Sequence, residues 1–236
     1  FHMPAFIFIS GYFSKKELPL LKIIQRLAVP YIICEVIYYL WYTYITHKPT
    51  GLHLLKPKFT LWYLLALFLW RVITPYVKKI PYHWILACLA GILIGFSQME
   101  DNFLTIPRAL VYYPFYLAGT HFTREQLSAF RSKSEKGKWW ALLVIIVIAV
   151  FLGYVGLTRM QPMQVFYGRY NYLSMKQGIG EAILWRVLLY VIGFLLTFAF
   201  MLWMPERKLC ISYLGTRTMA IYLFHGLAYT WLEQCT

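Results

Sequence analysis

Three ionisable side chains lie inside or against long apolar runs. Glu35 sits between Cys34 and Val36, Arg71 follows Leu61–Trp70, and Arg186 comes five residues after Glu181. A charge in such a setting is expensive and marks a pair, a proton site or a substrate contact. Glu35 can hold a proton or pair with a cation from another helix. Arg71 can snorkel to the membrane surface or point into a central cavity. Arg186 can pair with Glu181, although a five-residue offset fits helix geometry poorly. The six histidines, His2, His47, His53, His83, His121 and His225, are scattered, and no HExxH occurs. There is no GxSxG, no P-loop and no dinucleotide fingerprint. Cys34, Cys88, Cys210 and Cys235 are isolated in sequence. They read as small apolar helix residues, and no metal site is expected. Read this way, the residues fit a membrane enzyme and a transporter equally well.

The elements that must position them are apolar. Eight runs recur, at Met3–Phe13, Leu27–Ile45, Thr60–Tyr76, Tyr82–Phe96, Leu104–Phe122, Trp139–Leu157, Ile183–Met204 and Ile211–Leu232. Several approach the roughly 20 residues that a helix needs to cross a bilayer. In hydrocarbon each must be helical, because a helix satisfies its own backbone polar groups. The chain is 60% hydrophobic and 19% aromatic, more apolar surface than a soluble domain of this length can hide. The expected fold is all-α, a polytopic integral-membrane bundle of about eight transmembrane helices in one domain over residues 1–236.

Charge sets the orientation. Alternate gaps between runs hold Lys15, Lys16, Lys22, Arg26, Lys78, Lys79, Arg124, Arg131, Lys133, Lys136, Lys138, Arg207, Lys208 and Arg217. The other gaps hold half as many cations, Lys48, Lys56, Lys58, Arg108, Arg159, Arg169 and Lys176. The denser set should face the cytoplasm, so both ends of this stretch face outward. The net charge of +14 sits in short loops. Topology and anionic lipid headgroups explain it better than nucleic acid, which is not expected as a partner.

Pro30, Pro107 and Pro114 fall at or inside runs, where a proline kinks a helix and frees a carbonyl. Tyr112-Tyr113-Pro114-Phe115-Tyr116 therefore predicts a bent helix, either beside a polar cavity or simply kinked for packing. The outer segment Thr158–Gly180 is rich in Tyr, Met and Gln. It suits an interfacial belt and can also touch a sugar or headgroup. Phe1-His2-Met3 opens almost directly on an apolar run without a basic leader, which predicts further sequence upstream.

Five segments in chain order resemble the membrane acyltransferase 3 family, most closely its fucose 4-O-acetylase-like branch. Phe1–Phe13, FHMPAFIFISGYF, is similar to the family's second-helix signature. Arg26-Leu27-Ala28-Val29-Pro30-Tyr31 resembles the arginine-then-proline opening of its third helix. Leu61–Leu67, Tyr113–Gly119 and Leu214–His225 resemble three later blocks. Where the family often has two arginines three apart, Arg26 fits the second, but Ile23 occupies the first, with Lys22 beside it.

The resemblance implies an O-acyltransferase. It moves an acyl group, usually acetyl, from cytoplasmic acyl-CoA to a hydroxyl of a cell-envelope glycan or lipid-linked sugar, in a bacterial plasma membrane. Acyl-CoA is a co-substrate, and no bound cofactor is expected. The family's presumed catalytic histidine ends its first helix, about ten residues after an Arg or Lys, which implies a base upstream of Phe1 and little activity without that helix. Within this chain His2 and His225 are the candidates for a catalytic role. CoA phosphates make Lys22, Arg26 and Arg71 the expected donor contacts. Ser10, Gly11, Glu35, Trp62, Tyr63 and Arg186 are the expected cavity and acceptor residues. Ser10-Gly11 suits a narrow passage for the pantetheine arm or close helix packing. The alternative is a glycan or lipid-linked-sugar transporter or flippase, which would show flux without consuming acyl-CoA.

Overall fold

The computed structural model describes residues 2–45, 51–57, 61–97, 103–132, 135–158, 167–168, 171–172, 178–203 and 218–235, without the side chains at 2, 130–132, 135, 136, 138, 230 and 233–235. Of the residues singled out above, His47, Cys210, Leu214–Arg217 and several loop cations lie outside that set, as do the side chains of His2 and Cys235.

Every regular element among the described residues is helical. They are α1 (His2–Phe13), α2 (Leu20–Ile23), α3 (Val29–Leu40), α4 (Trp62–Val77), α5 (His83–Leu93), α6 (Ile106–His121), α7 (Arg124–Ser132), α8 (Glu135–Thr158), α9 (Ile179–Trp203) and α10 (Thr218–Cys235). Each of the eight apolar runs overlaps one of these helices. Among the described residues two α-helical stretches, Trp139–Thr158 and Ile179–Trp203, are long and apolar enough to cross a bilayer. Where the runs predict eight spans, the described residues hold a helix at each run but only these two α-helices reach spanning length. The shortfall has local causes. α3 has 12 residues because the α pattern gives way to π turns at Ile24–Ala28 and Trp41–Ile45, although helical backbone runs on through both. α5 tightens into a 3-10 turn at Ile94–Phe96. α4 and α6 have 16 residues each and carry internal Pro75 and Pro114; at 1.5 Å per residue that is about 24 Å, against a hydrocarbon core of about 30 Å.

Burial separates the long helices from those of a water-soluble core. Trp139–Thr158 is only 22% buried and Ile179–Trp203 39% buried. Trp139, Trp140, Leu143, Val147, Val150 and Leu157 are all exposed. A continuous apolar face of this kind needs lipid or protein against it.

The chain packs as two compact units. The first comprises residues 1–17, 73–101 and 107–204. Its centre is α6, where Val111 to Leu117 are buried without interruption. α9 packs on α1, α5 and α8, the last through Ile148, Leu152 and Ile192. α1 crosses α6 on reciprocal glycines. A Cβ on Gly11 would collide with the Tyr116 carbonyl, and one on Gly119 with the Phe8 carbonyl. Backbones approach this closely only where no side chain intervenes. The space that Gly11 leaves open is thus filled by α6. Pro114 has no N–H to give the Leu110 carbonyl, and that carbonyl faces Gly91 of α5, 3.1 Å from where a Cβ would stand. The kink expected in this helix is one at which a neighbouring backbone comes close. Thr74 Oγ1 and the Tyr113 hydroxyl lie 3.1 Å apart beside it.

The second unit comprises residues 18–72, 102–106 and 205–236. Leu20 to Ile45 is helical without a break, through α2, a π turn, α3 and a second π turn. Pro30 falls in the first turn of α3, where a missing N–H costs least. The Tyr38 hydroxyl donates to the Leu223 carbonyl at 3.0 Å and ties α3 to α10. The Tyr31 hydroxyl donates to the Leu54 carbonyl at 2.6 Å.

Gly119→Ala should lower stability by about 1–3 kcal/mol, because its methyl meets backbone that cannot rotate away. Gly153, with nothing within 4 Å of an added Cβ, supplies the control. Thermal unfolding of the purified protein in detergent should show a lower midpoint for Gly119→Ala, and an equal or slightly higher one for Gly153→Ala.

Candidate functional site

In the first unit the buried charge is Arg186, on the second turn of α9 and 1% exposed. Its guanidinium carbon lies 5.8 Å from the centroid of the Tyr172 ring, within cation–π range. Tyr172 is held over it by the end of α5. The Tyr172 N–H donates to the Gly95 carbonyl at 2.7 Å, and its hydroxyl donates to the Ile92 carbonyl at 2.8 Å. Those carbonyls are available because α5 ends there, and terminal carbonyls have no partner within the helix. Gly95 is required for this seat, since a Cβ on it would enter the Tyr172 ring. Phe96 adds an edge-to-face contact with Tyr172 at 5.0 Å.

One turn after Arg186, Tyr190 presses its hydroxyl against Gly91, where a Cβ would collide with it. That hydroxyl is buried and has no hydrogen-bond partner among the described residues. Tyr190 is within electrostatic reach of Arg186, Cys88, Tyr172 and Tyr112. Tyr112 of α6 is within reach of both Arg108 and Arg186. Gly168, at φ +69°, brings the outer segment against the Tyr112 ring. Two arginines and three tyrosines from α6, α9 and the outer segment thus gather at the end of α5. The charge alternation leads one to expect this end on the outer side. Guanidinium and phenol groups together bind anions and oxygen-rich groups, and aromatic faces stack on sugar rings. Glu181 does not need to pair with Arg186 to be used, because its Oε1 accepts from Trp185 Nε1 at 3.5 Å, an i, i+4 contact.

In the second unit Glu35 is fully buried on α3, with Tyr31 one turn before it and within electrostatic reach. Tyr63 of α4 meets Tyr222 of α10 edge to face at 5.2 Å, and Trp62 and Trp70 lie at 6.3 Å from Tyr63. Tyr222 in turn lies 5.5 Å from the His225 ring. His225 is exposed rather than buried, and its Nδ1 stands 2.6 Å from the Tyr222 carbonyl. Lys22 and Arg26 are exposed, and Arg71 is half-buried. Arg26 lies inside the π turn Ile24–Ala28, a distortion common at functional positions. In the first unit His2 opens α1. Ser10 is half-buried and spends its hydroxyl on the Phe6 carbonyl at 2.9 Å.

The structure therefore brings Tyr63, Tyr222 and His225 together, and sets Arg186 in a tyrosine cluster. Of that cluster, Tyr190 and Arg108 carried no individual signal in the sequence. Gly91 on α5 and Gly95 in the 3-10 turn that follows it are the trace that could have revealed it, since they admit Tyr190 and Tyr172.

Tyr172→Phe should cost about 1 kcal/mol, the worth of one hydroxyl bond to a carbonyl. Tyr172→Ala should cost about 3–5 kcal/mol, because the ring is lost as well. Thermal unfolding of both variants in detergent checks the ranking.

An acyltransferase-domain family model matches residues 1–236. No curated protein matches the chain, and no solved structure does. With the match extending over the entire sequence, the chain belongs to the acyltransferase 3 family of enzymes.

Proposed function

We propose that the chain is the membrane domain of an O-acyltransferase, of the fucose 4-O-acetylase-like branch. It takes an acetyl group from cytoplasmic acetyl-CoA and delivers it to a hydroxyl of a cell-envelope glycan or lipid-linked sugar. The observation that carries acyl transfer is the family match over residues 1–236. The eight helices are read as eight crossings of a bacterial plasma membrane, short ones fitting by local thinning or by packing against neighbours.

In the reaction the acceptor oxygen attacks the thioester carbonyl, and its proton passes to a base. Negative charge develops on the carbonyl oxygen. The tetrahedral centre then collapses, the C–S bond breaks, and CoA leaves as a thiolate that takes up a proton. Cations placed near the developing oxyanion lower the barrier, and cations at the inner surface hold CoA phosphates. Lys22 and Arg26, exposed at the expected inner end of the Leu20–Ile45 helix, are assigned to the donor, with Arg71. Exposure supports this, because a phosphate must reach them from water.

The outer end supports an acceptor rich in oxygen. Arg186, Tyr172 and Tyr190 offer donors and ring faces there, and Trp62 and Tyr63 are assigned the same task in the second unit. Glu35 and His225 remain assigned to the cavity, and His2 to the outer surface. Ser10 and Gly11 are better assigned to the α1–α6 packing described above. The family match favours acyl transfer over the transporter reading.

Arg26→Ala in the full-length protein should cut O-acetylation of the envelope glycan on the order of tenfold or more, at unchanged expression. Acetate released from the glycan by mild alkali measures this. Wild-type levels in the variant would remove Arg26 from the donor site.

A further inference from the structure

The first unit carries a second cluster, at the ends of α5 and α6 away from Arg186. Tyr82, which precedes α5, adopts φ +56°, a strained choice for a bulky residue and a frequent mark of function. His83 Nδ1 lies 2.9 Å from the Ile80 carbonyl. Its Nε2 is buried with no hydrogen-bond partner among the described residues. The His121 ring stacks on the His83 ring, 5.2 Å apart and 21° from parallel. Trp84 closes the group at 6.0 Å from His83 and 5.1 Å from His121. His121 is exposed, so one face of the stack is open.

Cations border this stack. Lys15 donates to the Phe122 carbonyl, next to His121, and lies 4.2 Å from the Tyr12 ring. Lys78 is half-buried, and Lys16 and Lys79 are exposed nearby in sequence. Burial holds the Lys78 ammonium below its usual range; Glu17 works against this and the charge of Lys15 works with it. Two lysines close enough to repel are relieved by an anion between them. The charge alternation places the cluster on the cytoplasmic side, where the donor is.

We infer that the His83–Trp84–His121 stack, rimmed by Lys15 and Lys78, binds the nucleotide end of the acyl-CoA donor. The adenine stacks on the open face of His121. The ribose 3′-phosphate and the diphosphate meet the lysines. Stacking on aromatic rings flanked by basic groups is a general way to hold a nucleotide. None of these residues belongs to the donor contacts Lys22, Arg26 and Arg71, which lie in the other unit. The inference rests on the acyl-CoA reading above.

The test uses the full-length protein in nanodiscs of neutral phosphatidylcholine, with His121→Ala, His121→Phe and Lys78→Gln. For His121→Ala and Lys78→Gln the KM for acetyl-CoA should rise about tenfold and kcat stay within about twofold. Turnover of acetyl-pantetheine, which has no nucleotide, should be unchanged. Affinity for adenosine 3′,5′-bisphosphate should fall by the same factor as KM rises, and His121→Phe should retain it. Unchanged KM and unchanged bisphosphate affinity in both loss variants would overturn the proposal. So would variants that alter only retention on vesicles of anionic lipid, since the cluster would then serve headgroups. Bisphosphate binding that these variants abolish, in a protein that transfers acetyl from no donor, would uphold the nucleotide site and sink the acyl-transfer reading instead.

Discussion

Helices in lipid cannot be driven together by the hydrophobic effect, because lipid tails are as apolar as their side chains. Close van der Waals contact must do that work, and in this chain glycines make it available. Gly11 and Gly119 let α1 and α6 cross carbonyl against glycine. Gly91 lets α5 approach the carbonyl that Pro114 leaves without a donor. Gly193 admits the Phe115 ring between α6 and α9. The first unit, with α6 buried along nearly its full length, depends on these approaches.

The same economy of side chains makes room for polar groups. Gly91 and Gly95 leave the end of α5 open enough for Tyr190 and Tyr172, and Tyr172 roofs Arg186. A guanidinium 1% exposed in an apolar bundle would otherwise be costly. The packing that closes the helices is thus also what holds the charged cluster, and a methyl group on α5 would disturb both. At the other ends of α5 and α6 the strained Tyr82 turn and the Lys15 contact to Phe122 arrange a second group of rings and cations. The two clusters lie at opposite ends of the same helices. The proposed reaction, with its donor on one side and its acceptor on the other, calls for recognition at both.

Much of this was legible from residues in line. The apolar runs marked the helices, and α1, α4, α5, α6, α8 and α9 fall on them. Pro30 and Pro114 announced where helices begin or bend. The exposed Lys22 and Arg26 were legible as surface cations. The extent of regular α-helix was not legible for most runs, because hydropathy does not register where the backbone passes into a π turn at Ile24–Ala28 or a 3-10 turn at Ile94–Phe96; both depend on backbone hydrogen bonds. The exposure of His225 was hidden for a related reason. Its neighbours Phe224 and Leu227 are apolar, and sequence does not say which side of a helix turns toward other protein.

By itself the sequence determined the class of the protein: helical because its apolar runs admit no other backbone in lipid, and an acyltransferase by family. Those properties are local or summed along the chain, and each residue contributes without reference to a distant one. Tertiary structure alone decided which residues meet. Tyr172 reaches Arg186 only because it is seated on Ile92 and Gly95, some eighty residues earlier. His83 finds His121 only because α5 and α6 lie side by side. Such pairings are set by the packing of whole helices, which no spacing within a single segment encodes.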